Sequence, residues 1–124
     1  MKYDLAHFGL YVKDMEVSKR FYMEVLGFEF KFETGPESKV KLCFLTSGSC
    51  EIELIEKKDL TREDGLFDHL CLRVDDIEKA VEDLKKHGVE ITGEITTMPH
   101  VFNGIKNIFF RGPDGERLEF NEFL

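Results

Sequence analysis

The sequence predicts an α+β chain of two paired βαβββ modules that form a curved mixed sheet with a cleft on its concave side. Three observations predict it. Strand-like alternations outnumber helix-like stretches and occur in the same order twice. The two halves repeat at an offset of 62 residues, which lays His7 on His69, Leu10 on Leu72, Val12 on Val74, Asp14 on Asp76 and Glu16 on Glu78. Each half contains one helical pattern, and each pattern stops at a glycine, Gly27 or Gly88.

The first module spans about residues 1–57. From Tyr3 to Val12 apolar residues fall mostly at every second position, with His7, Gly9 and Tyr11 on the opposite face, as in a half-buried strand. Asp14 suits a helix cap, and Ser18, Phe21, Tyr22 and Val25 recur at helical spacing before Gly27. Phe28, Phe30 and Phe32 then alternate with Glu29, Lys31 and Glu33, and Gly35-Pro36-Glu37-Ser38 turns the chain. Val40 to Thr46 and Cys50 to Glu56 form a hairpin joined at Ser47-Gly48-Ser49.

A charged, unpatterned linker at about residues 58–65 precedes the second module, about 66–124. Leu66 to Val74 is its first strand. Asp75 with Glu78 resembles a capping box, and Ile77, Ala80, Val81 and Leu84 make one apolar stripe. Lys85, Lys86 and His87 suit the negative end of that helix. Val89 to Ile95 is a further strand, Met98 to Gly104 a loop long enough to cover a pocket, and Ile105–Arg111 and Glu116–Phe123 flank the turn Gly112-Pro113-Asp114-Gly115. The modules are expected to pair into a single domain, 1–124, because one such sheet alone is small.

Composition narrows the function. Apolar residues make up 42% of the chain, including 12 phenylalanines, which suits a globular interior, and no apolar run approaches a membrane span. A net charge of -8 with no basic run disfavours nucleic acid as a partner. The start lacks the apolar region of a secretory signal, so a cytoplasmic location is expected. Cys43, Cys50 and Cys71 are odd in number and never spaced as Cys-x-x-Cys, so they read as reduced, core-filling residues.

Four polar residues interrupt apolar strands. His7 and Glu53 are 46 residues apart, His69 and Glu119 are 50 apart, and strand parity turns all four away from the helices. A single strand histidine is more often a hydrogen-bonded structural residue, and a single glutamate among 25 acidic residues is unremarkable. Shared parity and repetition set these four apart. Two imidazoles and two carboxylates make a nitrogen–oxygen donor set for Ni, Zn or Co, with Mn and Fe also suited, and leave room for water or a small-molecule substrate. A metal held this way acts as a Lewis acid, and a neighbouring carboxylate carries protons. Cys71 is either an extra ligand or a small buried residue. Arg73 and Arg117 either steer an anion or pair with carboxylates such as Glu51. Tyr11 and Phe109 are further candidates for the pocket wall.

Certain segments carry a family resemblance: Ala6-His7-Phe8-Gly9-Leu10-Tyr11-Val12, Phe21-Tyr22, Leu26-Gly27-Phe28, Ile52-Glu53-Leu54, Asp68-His69-Leu70-Cys71-Leu72-Arg73-Val74, Gly112-Pro113-Asp114-Gly115 and Leu118-Glu119-Phe120. In these the whole chain resembles the vicinal oxygen chelate superfamily of glyoxalase I, fosfomycin-resistance proteins, bleomycin-resistance proteins and extradiol dioxygenases. The resemblance implies paired βαβββ modules. It also implies that His7, Glu53, His69 and Glu119 are metal ligands, as in bacterial glyoxalase I, with Glu119 and its counterpart Glu53 carrying protons to and from an enediolate. It implies a homodimer with each site shared between chains. Where glyoxalase I has an arginine and an asparagine serving glutathione, this chain has Tyr11 and Lys57. The readings to be separated are a glyoxalase-type metal-dependent lyase or isomerase, a binding protein of the bleomycin-resistance type without catalysis, and another superfamily enzyme such as an epimerase or dioxygenase.

Overall fold

A computed structural model describes residues 1–124, which divide into two compact units, Met1–Thr61 and Arg62–Leu124. Each is an α+β unit with one mixed sheet.

In the first unit, β1 (Phe8–Val12) leads to α1 (Met15–Arg20), which continues through one π-helical turn at Phe21–Val25. The chain returns through β2 (Glu29–Glu33), β3 (Leu42–Ser47) and β4 (Cys50–Glu56). The strand order is β1-β4-β3-β2, with β1 parallel to β4 and the other pairs antiparallel. Asp14 starts the helix by accepting the amides of Glu16 and Val17, and Glu56 accepts the Met15 amide from the end of β4 at 3.0 Å. Gly27, at φ 75°, ends the helical segment in a conformation that L side chains resist. Val12, Met15, Tyr22, Cys43, Leu45, Ile52 and Leu54 form the core between helix and sheet. The alternate residues of β3 and β4, including Phe44 and Glu53, therefore lie on the helix-free face.

The second unit repeats the plan. β5 (Leu70–Arg73) is followed by α2 (Ile77–Lys86), two short strands β6 (Glu90–Ile91) and β7 (Thr96–Met98), and the hairpin β8 (Ile105–Arg111) and β9 (Arg117–Phe123). β5 runs parallel to β9, β8 is antiparallel to β9, and both β6 and β7 pair with β8. Asp76 caps α2 by accepting the Lys79 amide, and Glu122 accepts the Ile77 amide as Glu56 does that of Met15. Ile77, Val81 and Leu84 pack with Ile108, Phe110, Leu118 and Phe120. Burial of each of these aliphatic and aromatic side chains contributes on the order of 2 kcal/mol.

The structure corrects three sequence expectations. The first strand of each unit is shorter than its apolar pattern, because Met1–Leu5 and Leu66–Phe67 lie exposed beyond the sheet, and ladder pairing begins at Phe8 and Leu70. The expected strand Val89 to Ile95 is reduced to Glu90–Ile91; the chain bends at Gly93, φ 134°, and a separate strand, Thr96–Met98, begins beyond it and takes in Met98, which the sequence places in the loop. In β2 a bulge between Phe30 and Phe32 interrupts the simple alternation. Phe30 stays opposite buried Leu45, whereas Phe32 comes to the face of Phe44 and Glu33 reaches Lys19 on the helix side.

No helix is long and apolar enough to cross a membrane.

Candidate metal centre

Each unit brings together one of the two expected pairs. In the first, His7 Nε2 is 3.4 Å from Glu53 Oε1; in the second, His69 Nε2 is 3.5 Å from Glu119 Oε1. The same backbone plan produces both. The histidine stands one residue before a strand that runs parallel to the glutamate's strand, and the strand residue opposite the glutamate is Gly9 in one unit and Cys71 in the other. A parallel pair staggers its partners, so the imidazole leans forward along the ladder to reach the carboxylate.

An aromatic ring completes each pair. Phe44 is in register with Glu53 and Phe109 with Glu119. His7 meets Phe44 edge-on, with centroids 5.5 Å apart and planes at 86°; His69 meets Phe109 in the same way, at 5.3 Å and 86°. Phe32 adds a tilted contact to Phe44. Phe44 and Phe32 were missed by sequence reasoning, although Phe44 could have been found by aligning β3 with β8 through the repeat.

The donor atoms suit a divalent cation. Two ligands each ~2.1 Å from a metal lie ~3.0–3.4 Å apart at octahedral to tetrahedral angles, close to the observed spacings. A hydrogen bond between the same groups would be shorter, ~2.7–2.9 Å if charged. Glu119 is 8% exposed and its Oε2 accepts a bond from Asn107 Nδ2 at 3.0 Å, leaving Oε1 toward His69. His69 Nδ1 lies 2.6 Å from Asp68 Oδ2, which leaves Nε2 toward Glu119. Burial and the hydrogen bond with Glu119 push the Cys71 thiol up to about 12. Burial likewise pushes Cys43 up to about 11, and all three cysteines are free.

The other expected pocket residues divide between the units. Tyr11 is exposed and lies 5.4 Å from the Lys57 ammonium, a cation–π contact. Arg73 stacks over Phe123 at 4.0 Å. Arg117 stacks over Phe109 at 3.9 Å and pairs with Asp68, so it is committed to carboxylate and aromatic neighbours within its own unit. Arg111 binds Asp64 and the Gly115 carbonyl, and holds Asp64 below the usual carboxylate range.

A second group of acidic side chains, Asp76, Glu78 and Glu122, converges at the start of α2. Its members already have partners: the Lys79 amide, the Lys106 ammonium and the Ile77 amide. They are the apparatus that caps a helix.

Residues 4–120 match the model of the glyoxalase/bleomycin resistance protein/dioxygenase superfamily. The chain belongs to this superfamily. Among its relatives, the Bacillus subtilis protein YwbC is 37% identical over 123 residues, covering 94% of both chains. The lactoylglutathione lyase of Neisseria meningitidis is 32% identical over 123 residues, covering 94% of this chain and 88% of the lyase. The fosfomycin resistance protein FosX of Listeria monocytogenes, solved with Mn(II), superimposes with a TM-score of 0.84 over 100% of this chain and 95% of FosX. At 22% identity that likeness concerns the fold alone. Members of the superfamily are often metal-dependent enzymes acting on small molecules.

Proposed function

We propose that this superfamily member is a metal-dependent lyase or isomerase of the glyoxalase type. His7, Glu53, His69 and Glu119 would hold one divalent ion, with Ni, Zn or Co best suited to the donor set and Mn or Fe also accommodated. The observation that carries the reading is the His–Glu pair made twice, at 3.4 Å and 3.5 Å, by equivalent positions of two repeated units. The assembly we propose for it is a homodimer.

When bound, the metal supplies Lewis acidity for a carbonyl oxygen and the charge that develops on it. The protein supplies the rest. Glu119 and Glu53 would take a proton from a carbon beside that carbonyl and return it to the neighbouring carbon. Phe44 and Phe109 give the imidazoles apolar walls and limit water around the donors. Tyr11 and Arg73 lie further along the histidine strands and offer an aromatic surface and a cation to the substrate. Lactoylglutathione lyase activity is the narrower form of this reading.

Metal analysis of natively purified protein tests it, alongside His69→Ala. Near-stoichiometric metal in the wild type and its loss in the variant are expected; metal retained in full without His69 would remove the proposed site. Turnover of methylglyoxal with glutathione by Ni-, Co- or Zn-loaded protein tests the narrower claim, and absence of turnover with all three rejects it. Tight ligand binding by metal-free protein without turnover would instead favour the bleomycin-resistance type of binding protein.

A further inference from the structure

The two His–Glu pairs are alike at their facing atoms and unlike in what surrounds them. In the second unit every remaining polar atom of the pair is held. The Asp68 carboxylate can only accept, so at 2.6 Å it takes a hydrogen bond from His69 Nδ1–H and turns Nε2 toward Glu119. Asp68 is itself held by Arg117. A carboxylate likewise faces the nitrogen of an amide, so Asn107 donates Nδ2–H to Glu119 Oε2 at 3.0 Å, a bond buried in the sheet. Thus His69 Nε2 and Glu119 Oε1 are left facing each other at 3.5 Å, with the Cys71 thiol as a further neighbour of the Glu119 carboxylate.

The first unit lacks this framework. By the repeat and the strand registers, Ala6 stands where the second unit has Asp68, Leu42 where it has Asn107, Gly9 where it has Cys71, and Glu51 where it has Arg117. Ala6, Leu42 and Gly9 have no side-chain polar atom, and Glu51 pairs with Lys31. Fixing a ligand's direction in advance lowers the cost of ordering it when the metal arrives, and loss of such a partner typically weakens metal binding ~10–100-fold.

We infer that Asn107 and Asp68 are positioning residues that make the His69–Glu119 pair a stronger hold on a cation than the His7–Glu53 pair. This inference rests on the metal-centre reading above and assigns unequal roles to ligands that the sequence presents as equals.

Co(II) is the probe, with affinity measured by competition dialysis and the visible absorption of the bound ion recorded on the whole protein. Asn107→Leu reproduces the first unit's residue and is expected to lower Co(II) affinity ~10–100-fold, as is Asp68→Ala. The Co(II) absorption should change in both, while far-UV circular dichroism remains that of the wild type. Asn107→Asp, nearly equal in volume but carrying a like charge beside Glu119, should weaken binding in the same direction and covers the case in which the leucine variant fails to fold. Glu119→Gln should cost more affinity than Glu53→Gln. Folded Asn107→Leu and Asn107→Asp proteins binding Co(II) as tightly as the wild type would overturn the inference while leaving the metal reading standing. Equal losses for Glu119→Gln and Glu53→Gln would also overturn it. Wild-type protein that binds no Co(II), Ni(II) or Zn(II) would overturn the metal reading and this inference with it.

Discussion

Phe44 stands edge-on to His7, with ring centroids 5.5 Å apart and the planes at 86°. Its own strand position is opposite Glu53, so a single ring touches the histidine of the first pair from the strand that borders its glutamate. An edge-on aromatic neighbour restricts the imidazole's rotation and keeps the space beside it apolar.

Phe44→Ala is therefore expected to loosen His7 as well as to remove a half-buried ring. A fully buried phenylalanine costs ~3–5 kcal/mol on truncation, so about 2 kcal/mol is expected here. Urea unfolding measures that loss. Metal titration of the folded variant should show a several-fold weaker affinity, and an unchanged affinity would show that the ring supports the sheet without orienting His7.

At the second helix, Asp76 accepts the Lys79 amide at 3.1 Å and so satisfies one of the donors left open at the first turn of α2. Asp76→Ala should destabilise the protein by about 1 kcal/mol, whereas Asp76→Ser should recover most of the loss. Thermal unfolding of the two variants beside the wild type checks this. Equal stability of the alanine and serine variants would mean that the hydrogen bond contributes nothing.

What could be read in the sequence depended on the range of the interaction involved. His7, Glu53, His69 and Glu119 were legible because parity along a strand is local and the repeat supplied a second copy of each. Phe109 was legible for the same reason. The bulge in β2 was not, because Phe30 and Phe32 alternate with charged residues whether or not an extra residue is inserted. The break at Gly93 was hidden because Val89, Ile91 and Ile95 keep a strand's parity across it. Asn107 was missed because its contact depends on the register across the Gly112–Gly115 turn, which sets Phe109 rather than Asn107 directly opposite Glu119. Its amide reaches Glu119 diagonally, a relationship fixed only once the hairpin is closed.

Glu56 supplies a pH dependence. Its hydrogen bond from the Met15 amide, aided by Lys58 and Lys41, holds its carboxyl below the ordinary value of 4.5. A carboxylate depressed in the folded state adds stability that is fully present above its unfolded value and is lost as pH falls through its folded value. Because Glu56 accepts the first amide of α1 from the end of β4, much as a capping side chain would, about 1 kcal/mol is expected from the contact. Glu56→Gln should therefore be less stable than the wild type at pH 7, and the gap should narrow below pH ~4.5 as the wild-type residue gains its proton. Urea midpoints of the two proteins across that range measure the gap. A difference that stays constant down to acid pH would show that charge at Glu56 plays no part.

The last prediction concerns the pair Tyr11 and Lys57. The Lys57 ammonium lies 5.4 Å from the Tyr11 ring, so the two residues satisfy one another at the positions where glyoxalase I serves glutathione with an arginine and an asparagine. A cation–π contact at an exposed ring contributes only ~0.5–1 kcal/mol, small enough for substitution to leave the fold intact. The double variant Tyr11→Arg, Lys57→Asn replaces an aromatic surface with a planar donor suited to carboxylates and an amide suited to peptide groups. If glutathione is disfavoured by these two residues, the double variant should raise kcat/KM for the methylglyoxal–glutathione adduct about tenfold, through KM more than kcat, because one added charge-assisted contact is worth ~1.5–3 kcal/mol before ordering costs. Steady-state kinetics with the same metal loaded into both proteins decides it. A fall in kcat/KM would show instead that Tyr11 and Lys57 are themselves the substrate's partners, which would assign this strand end to a different thiol or to a substrate without one.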